Sequence, residues 1–188
     1  EDSLVDLNFV KDKIIQIFQN RNFDLKKQVF IDKSLENFFY IDVILKIFPQ
    51  AVFINTTRNI EDNIFAIFKQ SLSKLSWTHS IENILKYADN YFKVMNYFIK
   101  KYPDKIFSLE LEDLTTNTEV VSKKLYSFCK LEWSKKVLDL DNKEDLLIST
   151  ASNIQIRDNI KKYDIDKYRP YKNLLKSYSN KYEWLNFK

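Results

Sequence analysis

The chain has 188 residues, a net charge of +4, one cysteine, one histidine and no glycine, where average usage of about 7% would give roughly 13 glycines at this length. Walker and Rossmann phosphate loops need glycine for positive φ and close backbone approach, so neither is encoded in these residues, nor is an EF-hand loop or a glycine-closed helix. The lone Cys129 excludes a disulfide framework and a thiolate zinc cluster, the lone His79 excludes a histidine-rich metal centre, and no apolar run is long enough to cross a membrane as a helix.

Lysine outnumbers arginine 26 to 4 and alanine occurs four times, a bias typical of AT-rich coding, so part of the glycine loss is mutational. Val5, Phe9, Ile14, Ile15 and Phe18 recur at helical spacing and predict an amphipathic helix over 4–20. Val29-Phe30-Ile31, too short for a helix and closed by Asp32-Lys33, reads as a first buried strand. Helical periodicity returns from Phe38 to Phe48 and stops at Pro49, and Ala51-Val52-Phe53-Ile54 reads as a second strand. Helices are predicted over 60–72 and 80–101, the latter ended by Pro103. Ile106 to Leu111 reads as a third strand, and Thr118 to Phe128 as a helix with Asn117 at its N-cap. Cys129 reads as a small buried residue and His79 as a surface one.

Strands alternating with helices predict βαβ units and a mainly parallel sheet, hence one α/β domain over 1–188 in which 141–188 is an irregular and helical cap. Three strands are few for a doubly wound sheet. The chain opens on Glu1, and Met95 is its only methionine, so the expectation is a domain incomplete at its N-terminus.

Ligands of open α/β sheets lie beyond the carboxyl ends of strands. Two such places carry cations: Lys33 after the first predicted strand and Arg58 after the second. Together they would suit a phosphate or sulfate group at a helix N-terminus. Arg58 carries more information than Lys33, because an arginine kept where lysine codons dominate suggests a need for bidentate geometry.

Four stretches, in order, resemble the nucleotide-dependent sulfotransferases, in particular the bacterial tetratricopeptide-linked and tyrosylprotein-type branch that uses 3′-phosphoadenosine-5′-phosphosulfate (PAPS). They are Asp32-Lys33 with Asn37; Phe48-Pro49-Gln50-Ala51 leading to Arg58-Asn59; Glu112-Asp113-Leu114 followed by Phe128 to Trp133; and Thr150-Ala151-Ser152 with Gln155 and then Lys167-Tyr168-Arg169-Pro170-Tyr171. The resemblance implies a three-layer, P-loop-kinase-like α/β fold and transfer of a sulfuryl group from PAPS to an acceptor hydroxyl or amine, leaving 3′,5′-ADP, without a metal. It implies that Lys33 stands beside the bridging oxygen of the phosphosulfate and that Ser152 donates near the transferring group. Arg58 would hold the 3′-phosphate, and Lys167 would close over it from a late loop. Glu112-Asp113-Leu114 would be structural, and Phe128 and Trp133 would be core positions.

Departures accompany the likeness. A serine usual eight residues after the arginine is Ala66, a tyrosine usual before Glu-Asp-Leu is Leu111, and a proline usual two residues after the lysine is Leu35. The 5′-phosphosulfate loop and the acidic general base that follows it have no counterpart in these residues. The chain alone is therefore expected to be inactive, as part of a larger sulfotransferase. The alternative is a non-catalytic α/β binding or scaffold module in which Arg58 docks an acidic partner. The expected partners are a nucleotide co-substrate and an unidentified acceptor, with no membrane. Nucleic acid is not expected despite the Lys- and Tyr-rich stretch from Asn159 to Lys188, and the expected location is cytoplasmic.

Overall fold

The computed structural model describes residues 6–20, 29–138, 163–164 and 167–185. Helix α1 spans Leu7–Asn20 and α2 Ile41–Ile47; strand β1 (Phe53–Thr57) is followed by α3 (Ile60–Gln70) and α4 (Ile81–Lys101), and strand β2 (Ile106–Glu110) by α5 (Leu111–Thr116) and α6 (Thr118–Phe128). Short 3-10 turns precede α2 and α4, and a longer 3-10 stretch covers Arg169–Tyr178. β1 and β2 pair in parallel, Phe53 opposite Ile106 and Thr57 opposite Glu110. The chain between them crosses over through α3 and α4, as a βαβ unit requires.

Helix boundaries have local causes. Asn59 caps α3 by accepting from the Asp62 amide at 3.0 Å, and Ser80 caps α4 by accepting from the Asn83 amide at 3.2 Å. α4 ends two residues before Pro103, with Lys100 and Lys101 in its last turn. Asn117 does occupy the N-cap position of α6, but its side chain makes no capping bond. Its amide donates instead to Asp113 Oδ1 at 2.8 Å, tying α6 back to α5.

Two expectations are corrected. Val29-Phe30-Ile31 forms no strand: it pairs with no strand among the described residues, and Ile31 is 82% exposed. Without a neighbour to satisfy its backbone, a three-residue apolar run has no ladder to join. Phe30 instead lies against Phe18 of α1, ring centroids 4.3 Å apart. The second strand begins at Phe53 and not at Ala51, because the Ala51 amide closes a turn onto the Phe48 carbonyl, and pairing starts where the Phe53 amide reaches the Lys105 carbonyl. The parallel sheet therefore has two strands among the described residues.

The core has two parts. Ile41, Met95, Phe98 and Ile106 join α2, α4 and β2. Ile64 and Phe65 of α3, Ile84 and Leu85 of α4, and Leu175, Tyr182 and Leu185 form the other. The segment 167–185, polar and Tyr-rich in sequence, is thus anchored by three buried apolar side chains.

Without glycine, left-handed turns fall to other residues. Ser71 ends α3 at φ 41° and Lys130 follows α6 at φ 56°. At Lys130 the chain makes a Schellman closure, the Leu131 amide reaching the Tyr126 carbonyl at 2.9 Å. A side chain there costs about 1 kcal/mol relative to glycine. Ser71→Gly is accordingly expected to raise stability by up to about 1 kcal/mol, read as a higher midpoint in thermal melts; an unchanged or lower midpoint would count against steric strain at Ser71.

Candidate functional site

The in-register ends of β1 and β2 bring Arg58-Asn59 beside Glu112 in the first turn of α5. The Asn59 amide donates to Glu112 Oε1 at 2.6 Å, so a carboxylate fixes the backbone immediately after Arg58. Glu112 therefore does hold the fold together, and it does so by clamping the loop that carries the arginine. Arg58 is half-buried, and its Nε donates to Asn63 Oδ1 at 3.1 Å. Its two terminal nitrogens make no hydrogen bond or ion pair among the described residues.

Asp62, one residue before Asn63, is fully buried. Its Oδ2 accepts from the Tyr163 hydroxyl at 2.9 Å, while its Oδ1 has no hydrogen-bond partner and lies 4.0 Å from Lys172 Nζ. Lys172 pairs with Glu61 Oε2 at 3.0 Å. The Tyr163 amide donates to Thr115 Oγ1 of α5 at 3.2 Å. Burial pushes the Tyr163 phenol well above its ordinary range, and the Asp62 carboxylate that accepts its proton pushes it further, against the opposing charge of Arg58. Tyr163 therefore stays a neutral donor, latching the C-terminal segment to α3 and α5. Tyr168 stacks on Phe65 of α3 with centroids 6.0 Å apart.

The other residues singled out from sequence are dispersed. Lys33 is exposed and has no partner among the described residues; it follows a run that pairs with no strand among them, so two strand-end cations are not assembled as expected. Next to it, Asp32 accepts from the Ser34 amide at 3.0 Å and from Asn37 at 3.1 Å. Partial burial works against its ionisation, but these bonds prevail and hold its carboxyl below the usual range. Lys167 is exposed with its Nζ 5.6 Å from the Tyr168 ring centroid. Ser152 and Gln155 lie outside the described residues. Ala66 and Leu111 are half-buried. Cys129 is half-buried at the end of α6, where burial raises its thiol pKa and favours the unreactive form. His79 is exposed, its Nε2 3.1 Å from the Leu72 carbonyl. Phe128 packs on Phe107, centroids 5.3 Å apart, and Trp133 donates to Ser122 Oγ at 3.0 Å.

Asp62, Asn63, Tyr163 and Lys172 were not singled out from sequence. The signal for the first two was their place one helical turn beyond Arg58. Tyr163 lies 101 residues from Asp62 and leaves no local trace. Among the described residues, no three or more His, Cys, Asp or Glu side chains are grouped to hold a metal ion, and no helix is long and apolar enough to cross a membrane. Chemically, the strand ends offer an arginine fork on a clamped loop, which suits an oxyanion bearing two adjacent acceptors.

The profile of the sulfotransferase family matches residues 6–135, well over half of the chain. The chain is also 30% identical over 149 residues to an uncharacterized protein of Aquifex aeolicus (strain VF5), a match covering 77% of this chain and 19% of the relative. It thus spans about a fifth of that relative's length. With a parallel β1–β2 pair, a βαβ crossover and Arg58 at the strand ends, the chain belongs to the sulfotransferase family.

Proposed function

We propose that this chain is part of a PAPS-dependent sulfotransferase with a three-layer, P-loop-kinase-like fold, in which Arg58 binds the 3′-phosphate of the nucleotide. The observation that carries the reading is Arg58 itself, held at the carboxyl end of β1 by Asn63 and by the Asn59–Glu112 clamp, with both terminal nitrogens unengaged among the described residues. Lys33 would stabilise charge developing on the leaving phosphate, Ser152 would donate to the transferring group, and Lys167 would approach the 3′-phosphate from the strap that Tyr163 latches to α3. In the transfer, the sulfur–oxygen bond to the 5′-phosphate breaks and a bond from sulfur to the acceptor oxygen or nitrogen forms. The bonding pair stays on the 5′-phosphate of 3′,5′-ADP, and the acceptor proton passes to a carboxylate base. Positioning and electrostatic stabilisation carry such a reaction, as in phosphoryl transfer.

Titration of the full-length protein with 3′,5′-ADP, followed by calorimetry, tests the reading. Saturable binding in the micromolar range is expected, together with sulfuryl transfer from PAPS; no binding at millimolar nucleotide would overturn it. Binding without transfer would identify a non-catalytic module on the same fold.

A further inference from the structure

We infer that Asn63 is a positioning residue that turns Arg58 correctly for the 3′-phosphate and leaves its charge uncompensated, by occupying the Nε position with a neutral acceptor. The inference rests on the nucleotide reading above and adds to it a residue whose type sets how strongly that phosphate is held.

The geometry presents a choice. Three carboxylates, Glu61, Asp62 and Glu112, lie within this site, and each is engaged elsewhere: Glu61 by Lys172, Asp62 by Tyr163, and Glu112 by the Asn59 amide. The partner of Arg58 is instead an uncharged amide at 3.1 Å. A guanidinium has five N–H donors and no acceptor, so the atom facing it must be the Asn63 oxygen. That bond spends one donor and fixes the guanidinium plane. Among the described residues the four donors on the two terminal nitrogens are left for a ligand, and the positive charge stays uncompensated because the Nε partner carries none. A carboxylate at this position would make the same bond and cancel the charge.

Asn63 has a second donor to offer. With its oxygen committed to Arg58, its amide nitrogen makes no bond among the described residues, and it sits in the first turn of α3 with its backbone amide bonded to the Asn59 carbonyl. The side-chain amide and the arginine fork together form a donor set suited to a phosphomonoester dianion. Recognition through a fixed plane is sensitive to orientation in a way that attraction to a mobile lysine is not.

The test compares 3′,5′-ADP with adenosine 5′-monophosphate, which differ by the 3′-phosphate, in the full-length protein and in its Asn63→Asp, Asn63→Ala and Arg58→Ala variants. Asn63→Asp retains size and the Nε bond, and is expected to lower affinity for 3′,5′-ADP about tenfold to a hundredfold while leaving 5′-monophosphate binding unchanged. Asn63→Ala is expected to cost about three- to tenfold, again only for the 3′-phosphorylated ligand, and to cost less once Arg58 is alanine. If Arg58→Ala removes the preference for 3′,5′-ADP but Asn63→Asp does not, the role of Asn63 is overturned and the nucleotide reading stands. Equal weakening of both ligands by the Asn63 variants also overturns it, since that is the mark of a merely structural residue. A wild-type protein without any 3′-phosphate preference overturns both.

Discussion

Truncating Leu175 to alanine is expected to destabilise the protein by about 2–5 kcal/mol, enough to consume a large part of the 5–15 kcal/mol typical of a folded domain. Leu175 is completely buried against Ile64 and Phe65 of α3 and Ile84 and Leu85 of α4. Removing its branched end leaves a cavity where the two helices and the C-terminal segment meet, and neither helix can move to fill it without breaking its own packing. Chemical denaturation of wild type and Leu175→Ala, with the shift read at constant m-value, checks the figure. A loss under about 0.5 kcal/mol would mean that residues 167–185 lie on the surface and contribute little. The consequence reaches the site, because the same segment carries Lys167 and Lys172 and follows directly from the Tyr163 latch.

The second large effect concerns Arg58. Arg58→Ala is expected to weaken binding of 3′,5′-ADP by about a hundredfold or more, since each hydrogen bond between charged groups contributes about 1.5–3 kcal/mol and the fork can make two. Arg58→Lys keeps the charge but loses the planar fork and the Nε bond to Asn63, so an intermediate loss of about tenfold is expected. Because Arg58 bonds, among the described residues, only to a half-buried amide, both variants should melt close to wild type. Calorimetric titration resolves the three affinities. Affinities of Arg58→Ala and wild type within a factor of two of each other would remove Arg58 from the nucleotide site.

Sequence patterns made the long helices and both strands legible for specific reasons. α4 has a buried face at helical spacing, Ile84, Leu85, Ala88, Met95 and Phe98, with a capping serine before it and a proline after it, so period and punctuation agree. α6 was readable to the residue. Val29-Phe30-Ile31 was misread because apolarity specifies burial, and a strand also needs a neighbour. The packing of the tail left no pattern to read: Leu175, Tyr182 and Leu185 are spread among lysines in a 3-10 stretch and irregular turns, where neither a period of 3.6 nor a period of 2 applies. In the site, Arg58 was conspicuous because arginine is scarce here. Asn63 was hidden because asparagine is common, and its importance lies in what it accepts. Tyr163 could be placed only by tertiary structure, since nothing within a hundred residues of a buried aspartate announces its partner.

The clamp between Asn59 and Glu112 spans 53 residues of chain, and this separation bears on the order in which the molecule assembles. Bringing together points so far apart carries a loop-closure cost of about 3.5 kcal/mol above its constant part, which local contacts must first offset. α3 and α4 lie inside that loop and pack against each other, so their docking shortens the effective distance before the strands meet. Arg58 acquires its fixed backbone only when Glu112 arrives. A chain whose helices have formed but whose two strands remain apart thus offers an anion a flexible arginine and no site, and the nucleotide recognition proposed above would require the completed topology.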